Sequence, residues 1–524
     1  MAGRRPTSPA GLIRLSGIER PGAAPASEEP VTETGLDPRI AAGLVFFASG
    51  AVLVIEIVAL RLVAPYVGIT LQTSSAVIGV ALAAIALGAW TGGRLADQVG
   101  PRRLLAPTLV LAGLLTGLTL PLVRFVGPIL ASSDPVSVIL LAFVTVFAPC
   151  VFLSAVPPMV VKLQLRDLHR TGTIVGRLSG IGTLGAILAT FATGFVLLAA
   201  APTSVIFLAV GGAALLIGLV LGFTPGGWRR PPAALALIGL LALGTLPVIP
   251  SPCGIETAYH CARVVADPER ASGRYLVLDT LLHSYVDLAD PTYLRFAYVQ
   301  AIASTADVMR PPRQPLRALH LGAGGLTMPR YLAASRPGSE SRVLEVDPGV
   351  LQLDRTRLGL REGAGLRVDL LDGRVGLKSE ATGGRDLVVG DAFGGLAVPW
   401  QLTTREVVVE IARVLRPTGI YAVNVIDNPP NRFIHAEAAT IASVFPHVTV
   451  VAAANSISGG SGGNFVILAS AAPLPTAALA TRLTERGSSL SVATPPDMDR
   501  FTSGALVLSD DYAPVDQLIT AIPR

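Results

Sequence analysis

Three carboxylates, Glu345, Asp372 and Asp391, each follow a short apolar run, and all three come after a glycine-rich turn made of Gly322, Gly324 and Gly325. That order is what a nucleoside site requires. Glycines let backbone approach a ligand with no Cβ in the way, and an acid about 20 residues further on can accept both hydroxyls of a ribose. The stretch from Arg317 to Asp347, RALHLGAGG through VLEVD, therefore reads as the first βαβ unit of a nucleoside-binding sheet, with an adenosine-type ligand. Ligands of such sheets sit outside the carboxyl ends of the strands, so the three acids are predicted to converge on one crevice. Simpler roles exist for two of them: Asp372 as a helix cap before Val375, and Asp391 as a turn residue before Gly394 and Gly395.

The elements that must position these groups are short β-rich runs alternating with helical patterns. Runs begin near Leu366, Asp386, Ile420, His447 and Asn464, and Thr403 to Leu415 has helical periodicity, which together predict a doubly wound sheet over 311–524. The glycine loop SISGGSGGN joins the last two runs and reads as a hairpin. Upstream, RYLVLD from Arg274 and HSYVDL from His283 predict a small β hairpin subdomain over 251–310, with a helix from Pro291 to Met309.

Ahead of this lies a segment that could hardly remain in water. The chain is 51% hydrophobic and only 15% charged, against about 25% charged for an ordinary globular protein, and its mean hydropathy is +0.59. The first 39 residues lack a sustained apolar run and read as a disordered tail. Residues 40–250 read as an α-helical multi-pass membrane domain with about seven spans, at 40–60, 73–93, 104–123, 136–160, 174–200, 203–223 and 233–250. Arg94, Arg102 and Arg103 follow the second span, Lys162, Arg166, Arg170 and Arg177 the fourth, and Arg229 and Arg230 the sixth. The positive-inside rule then places the amino terminus in the cytoplasm.

Two readings of 233–250 stand. If it crosses, the C-terminal domain lies outside; if it is re-entrant, the domain lies inside. Cys253 and Cys261 could pair only in an oxidising compartment, and otherwise are two thiols. Cys150 reads as a packing residue. Glu56, deep in the first span, reads either as a functional intramembrane acid or as a hydrogen-bonded lock between helices. GRLADQVGPRR, with Gly93, Asp97, Gly100 and Arg102, resembles a cytoplasmic loop of major-facilitator transporters, and a basic turn with Asp97 capping a helix explains it equally. Seven spans do not divide evenly into inverted repeats.

The net charge of +5 and pI near 9.3 follow membrane loops and the tail, and no basic patch with interleaved aromatics argues for nucleic acid. His260, His320 and His435 have no metal-ligand spacing, so no metal is predicted.

The order LHLGAGGLTMPRYL, LEVDP, LLDG, GDAFGG and LTTREVVVEIARVLRPTGIYAVN resembles the spermidine synthase family, aminopropyltransferases on a methyltransferase-like Rossmann fold with a small N-terminal β domain. The resemblance covers roughly Glu256 to Leu468. The apolar half and the closing SDDYAPVD from Ser509 resemble membrane-fused bacterial versions. By this resemblance Gly322 and Gly324 hold the methylthioadenosine part of the donor, Glu345 its ribose, Asp372 its adenine, and Asp391 is the catalytic acid-base. His283 and Tyr285 are candidate substrate contacts on the hairpin. The implied donor is decarboxylated S-adenosylmethionine, or S-adenosylmethionine itself, and the implied acceptor is an amine or polyamine.

The departures concentrate on the polyamine side. Gly325 and Gly394 stand where the family has Asp, His283 stands for a Gln, and the acidic pair before the substrate-side Tyr reads Asp290, Pro291. Three functions follow: a membrane-bound aminopropyltransferase, a methyltransferase acting on an envelope acceptor, or a noncatalytic nucleoside- or polyamine-binding sensor or transport-associated protein. The bilayer is a predicted partner, and the oligomeric state, homo-oligomer included, stays open.

Overall fold

The computed structural model describes residues 36–132, 134–165, 168–223, 250–322, 324–363, 365–395 and 398–520. The expected N-terminal tail lies outside the described residues up to position 35, and so does the seventh span except Pro250.

Among the described residues six helices are long and apolar enough to cross a membrane: α1 Pro38–Val67, α2 Leu71–Val99, α3 Pro101–Val126, α4 Pro135–Gln164, α5 Thr171–Ala200 and α6 Thr203–Gly222. They start earlier or run further than most of the apolar windows, because backbone hydrogen bonding carries a helix past its last apolar residue until a cap stops it. Asp37 and Asp134 cap α1 and α4 by accepting from the N–H groups of Arg39 and of Val136 and Ser137. Asp97 is no cap. It sits inside α2, ion-paired with Lys162 of α4, and the break before α3 is made by Gly100 at φ +91°. Glu56 makes no hydrogen bond to a described residue, and Cys150 is buried among apolar neighbours.

Helix contacts are set by small residues, as expected where apolar solvent offers no hydrophobic drive and only close backbone approach gains dispersion energy. An added Cβ at Gly113 of α3 would lie 2.5 Å from the Gly211 carbonyl oxygen of α6, and one at Gly185 of α5 would lie 2.4 Å from that of Phe46 in α1.

The remainder is two sheets. Strands β1 Ile255–Glu256, β2 Cys261–Ala266, β3 Gly273–Leu278 and β4 Leu281–Asp287 form an antiparallel sheet in chain order. The Cys253 and Cys261 sulfurs are bonded, tying the entry of this subdomain to β2. The next helix, α7, spans Ala297–Val308 and not the whole of 291–309. Thr292 N–H donates to Asp290 in a turn instead, and Tyr293 covers the Arg270 guanidinium.

The large sheet comprises β5 Arg317–Leu321, β6 Glu340–Glu345, β7 Leu366–Leu370, β8 Arg385–Gly390, β9 Leu415–Asp427, β10 His447–Ala453, β11 Gly463–Ser470 and β12 Leu490–Val492. Its order is β12-β10-β11-β9-β8-β5-β6-β7, parallel from β9 to β7 and antiparallel through β11, β10 and β12. This is a Rossmann-like, methyltransferase-type sheet. Alternate residues feed opposite cores: Val388 and Val423 pack on helices α11 Arg405–Val414 and α12 Arg432–Ala442, while Leu387, Val389 and Ala422 pack on α7 and on helices α8 Thr327–Ser335 and α13 Thr476–Glu485. Helices α9 Pro348–Arg357 and α10 Gly373–Lys378 follow β6 and β7.

Gly113→Val is expected to lower the thermal unfolding midpoint of the detergent-solubilised protein, corresponding to about 1–3 kcal/mol of overpacking. Gly117→Val on the same helix, where nothing lies within 4 Å of the added Cβ, is expected to leave the midpoint within error.

Candidate functional site

Strand order reverses between β5 and β8, and at such a point the loops leaving two neighbouring strands turn to opposite faces and open a crevice. The crevice here is about 500 Å3, within the range of small-molecule sites. Gly322, Gly324, Glu345, Asp372, Asp391 and His283 all line it. Tyr285 does not.

Gly322 closes the end of β5 at φ +68°. An added Cβ there would lie 2.7 Å from the Asp391 carbonyl oxygen, so the two strand ends touch only because this residue is glycine. The Asp391 N–H donates to the Leu321 carbonyl at 3.0 Å, which extends the ladder of β8 by one residue and aims the side chain into the cleft. Oδ1 of Asp391 accepts from Asn424 Nδ2 at 3.0 Å and Oδ2 from the Tyr298 hydroxyl at 3.2 Å. Burial pushes the Asp391 carboxyl up to about 6, against the pull of those two donors. The group is thus held in one rotamer and still titrates near neutrality. Asp391 is no mere turn residue.

Glu345 ends β6 and accepts from the Asp347 N–H at 2.9 Å. Asp347 is fixed in turn by the Thr257 hydroxyl at 2.5 Å, so the hairpin subdomain braces the Glu345 side of the crevice. Behind Glu345, burial and the Glu345 charge push the Asp354 carboxyl up to about 8. Asp354 is therefore neutral at pH 7. Asp372 does cap α10, its Oδ1 accepting from the N–H groups of Arg374 and Val375 at 2.9 and 3.0 Å. Capping and crevice lining coexist, because Oδ2 has no partner among the described residues. The C-terminal motif reinforces this corner: Asp510 pairs with Arg374 and accepts from the Thr404 hydroxyl.

His283 lies between the His260 and Phe393 rings, 6.2 and 6.0 Å away by centroid. Its Nε2 is buried without a partner among the described residues, and burial pushes the imidazole down to about 4, so it is neutral at pH 7. Tyr285 is 2% exposed and points into the hairpin, donating to Asp267 Oδ2 at 2.8 Å and packing edge-on against Tyr275. It is a structural residue. Sequence reasoning placed it beside His283 on the same strand, but the inner aromatic cluster claims it.

The residue overlooked was Tyr298 on α7, with Asn424 on β9. A phenol in a buried helix needs a partner for its hydroxyl, and that signal was available at RFAYVQAI; nothing local marks Asn424. Asn464 Nδ2 donates to Asn424 Oδ1 at 2.9 Å, completing a relay from β11 to Asp391. His260 also lines the crevice, its Nδ1 2.8 Å from Asp279 Oδ2. Among the described residues no group of three or more His, Cys, Asp or Glu could hold a metal ion.

The bundle reaches the site. Ile69, in the turn between α1 and α2, lines the crevice, and the Ser204 N–H and hydroxyl at the start of α6 donate to Glu256 at 2.9 and 3.1 Å. Arg61, Tyr66 and Arg124 share a narrow junction cavity with His260 and Asp279.

The two glycines that stand where the resemblance expects Asp differ physically. An added Cβ at Gly325 would lie 2.7 Å from the buried Val286 Cγ2, whereas one at Gly394 would meet nothing closer than Pro399 at 4.0 Å. Gly325→Asp is expected to lower the unfolding midpoint by several degrees and Gly394→Asp to leave it unchanged, read by differential scanning fluorimetry.

No family model matches the chain. A polyamine aminopropyltransferase of Vibrio vulnificus (strain CMCP6) is 30% identical over 158 residues, 30% of this chain and 52% of that protein. Another, of Chromobacterium violaceum, is 27% identical over 144 residues, 27% of this chain and 54% of that protein. The chain thus spans about half the length of the curated relatives it matches. Among solved structures, a probable spermidine synthase from Corynebacterium glutamicum ATCC 13032 has 26% identity and a TM-score of 0.46, covering 52% of this chain and 99% of that one. A spermidine synthase in complex with the transition state analogue AdoDATO has 16% identity and a TM-score of 0.31, covering 50% and 80%.

Proposed function

We propose that the C-terminal domain transfers an aminopropyl group from decarboxylated S-adenosylmethionine to an amine, with Asp391 as base. The similarity to polyamine aminopropyltransferases supports the class; the observation that carries the chemistry is Asp391 clamped by Tyr298 and Asn424 at the switch point. The acceptor nitrogen attacks the methylene carbon, the carbon–sulfur bond breaks, and its electron pair stays on sulfur, giving neutral methylthioadenosine. The new ammonium then yields a proton to the Asp391 carboxylate. A sulfonium leaves readily, so catalysis rests on alignment and on a neutral nucleophile. Glu345 holds the ribose and Asp372 the adenine.

Asp391→Asn is expected to lower kcat by about 10²-fold or more while methylthioadenosine still binds, measured by product release and calorimetry. In the wild type the carboxylate form prevails above the Asp391 pKa of about 6, so kcat/KM falls as pH drops through that value. Removing a donor raises this pKa further, so Asn424→Leu is expected to move the acid limb to higher pH. An unmoved limb would exclude Asp391 as the titrating group.

A second reading, a noncatalytic nucleoside or polyamine sensor, is favoured by the junction geometry. Successive helices alternate direction, so the C-terminal end of α1 and the N-terminal end of α6 share the face on which Glu256 docks. The other end of α6, at Gly222, lies about 30 Å away for 20 residues of helix and belongs to the end bearing Arg94, Arg102 and Lys162. The positive-inside rule puts that end in the cytoplasm. The catalytic-like domain then faces outward, in agreement with a Cys253–Cys261 disulfide and away from the cytoplasmic pool of donor. A reporter fused after Arg524 is expected to be active only outside. Outside activity with a silent Asp391→Asn phenotype would favour the sensor, and cytoplasmic activity would remove its support.

A further inference from the structure

Beyond Asp391 lies a second chamber of about 360 Å3, lined by Tyr298, Asn424, Asn464, Ser489, Leu282 and Leu490 among others, and sharing only His283 and Phe393 with the donor crevice. The two cavities share His283 and Phe393, and the Asp391 carboxyl that lines the first is gripped by two residues of the second, Tyr298 and Asn424. A nucleophile must approach carbon from the side opposite the departing sulfur. With the sulfonium in the crevice, that side is this chamber.

Its lining is chemically unusual for an amine site. Among the described residues its lining has no Asp, Glu, Lys or Arg, and the imidazole there, His283, is neutral at pH 7. Apolar groups come from Leu281, Leu282, Phe296, Ile426 and Leu490. Polar capacity is confined to neutral groups: Asn464 Oδ1 and the Ser489 hydroxyl have no partner among the described residues. A diamine would place its second ammonium here without a counter-charge, and an uncompensated charge in a partly apolar cavity is costly. An uncharged tail carries no such cost, and a terminal hydroxyl or amide could bond to Asn464 or Ser489.

Resting on the transfer reading above, we propose that the acceptor is a primary monoamine with an uncharged, hydroxyl- or amide-bearing tail, bound in this chamber, and not a diamine or polyamine. The amine end meets Asp391, and the tail lies between Leu282 and Leu490 toward Ser489, which is exposed at the mouth.

The test compares two probes of equal length, 5-aminopentan-1-ol and 1,5-diaminopentane, titrated calorimetrically into the full-length protein saturated with methylthioadenosine. The amino alcohol is expected to bind at least tenfold more tightly. Equal affinity, a preference for the diamine, or binding of neither would overturn the inference. Ser489→Asp adds a carboxylate at the mouth and is expected to raise diamine affinity about tenfold with methylthioadenosine binding unchanged; no change would overturn the placement of the tail. The same samples, given decarboxylated S-adenosylmethionine, report methylthioadenosine release. Amine preference without release would sink the transfer reading and leave the chamber's selectivity standing, whereas release with a diamine preference would do the reverse.

Discussion

The contact on which the site depends is the meeting of two strand ends, where the Asp391 N–H donates to the Leu321 carbonyl and Gly322 lies against the Asp391 backbone. It is a backbone interaction, so it fixes Asp391 without using its side chain. Any residue larger than glycine at 322 would force β5 and β8 apart, and with them the rims of the crevice. Glu345 and Asp372 leave the neighbouring strands in register with β5, so their separation from Asp391 is inherited from the same sheet spacing.

Around that fixed centre the charge distribution is lopsided. The crevice carries Glu345, Asp372 and Asp347, braced by backbone N–H groups and by Thr257. Among the described residues the second chamber is lined by no Asp, Glu, Lys or Arg. At Gly325 Val286 of the hairpin occupies the space a side chain would need. At Gly394 the space remains open, so no steric reason accounts for the glycine there.

The helical bundle is more than an attachment. Glu256 ties the first strand of the hairpin subdomain to the start of α6, the disulfide holds His260 next to that anchor, and Ile69 forms part of the crevice wall. Displacement of α1 against α6 would therefore bear on the crevice. Arg61, within electrostatic range of Asp279 and Asp347, links the same helix to the carboxylates of the hairpin and of the turn after β6.

The sequence by itself determined the periodic features: seven apolar stretches, six of which are long helices among the described residues, the alternation of strands and helices, the glycine turn, and acids at successive strand ends. These are local, because hydropathy and backbone freedom are written residue by residue. Tertiary structure decided what depends on distant pairing. Tyr298 and Asn424 meet Asp391 only because α7 and β9 flank the switch point, and Tyr285 is lost to the site because Asp267, 18 residues away, takes its hydroxyl. Asp97 finds Lys162 across the bundle where the local pattern suggested a cap, and the neutral second chamber is assembled from β4, α7, β9 and the β10–β11 turn. No window of sequence contains it, since a cavity is a property of surfaces brought together by packing.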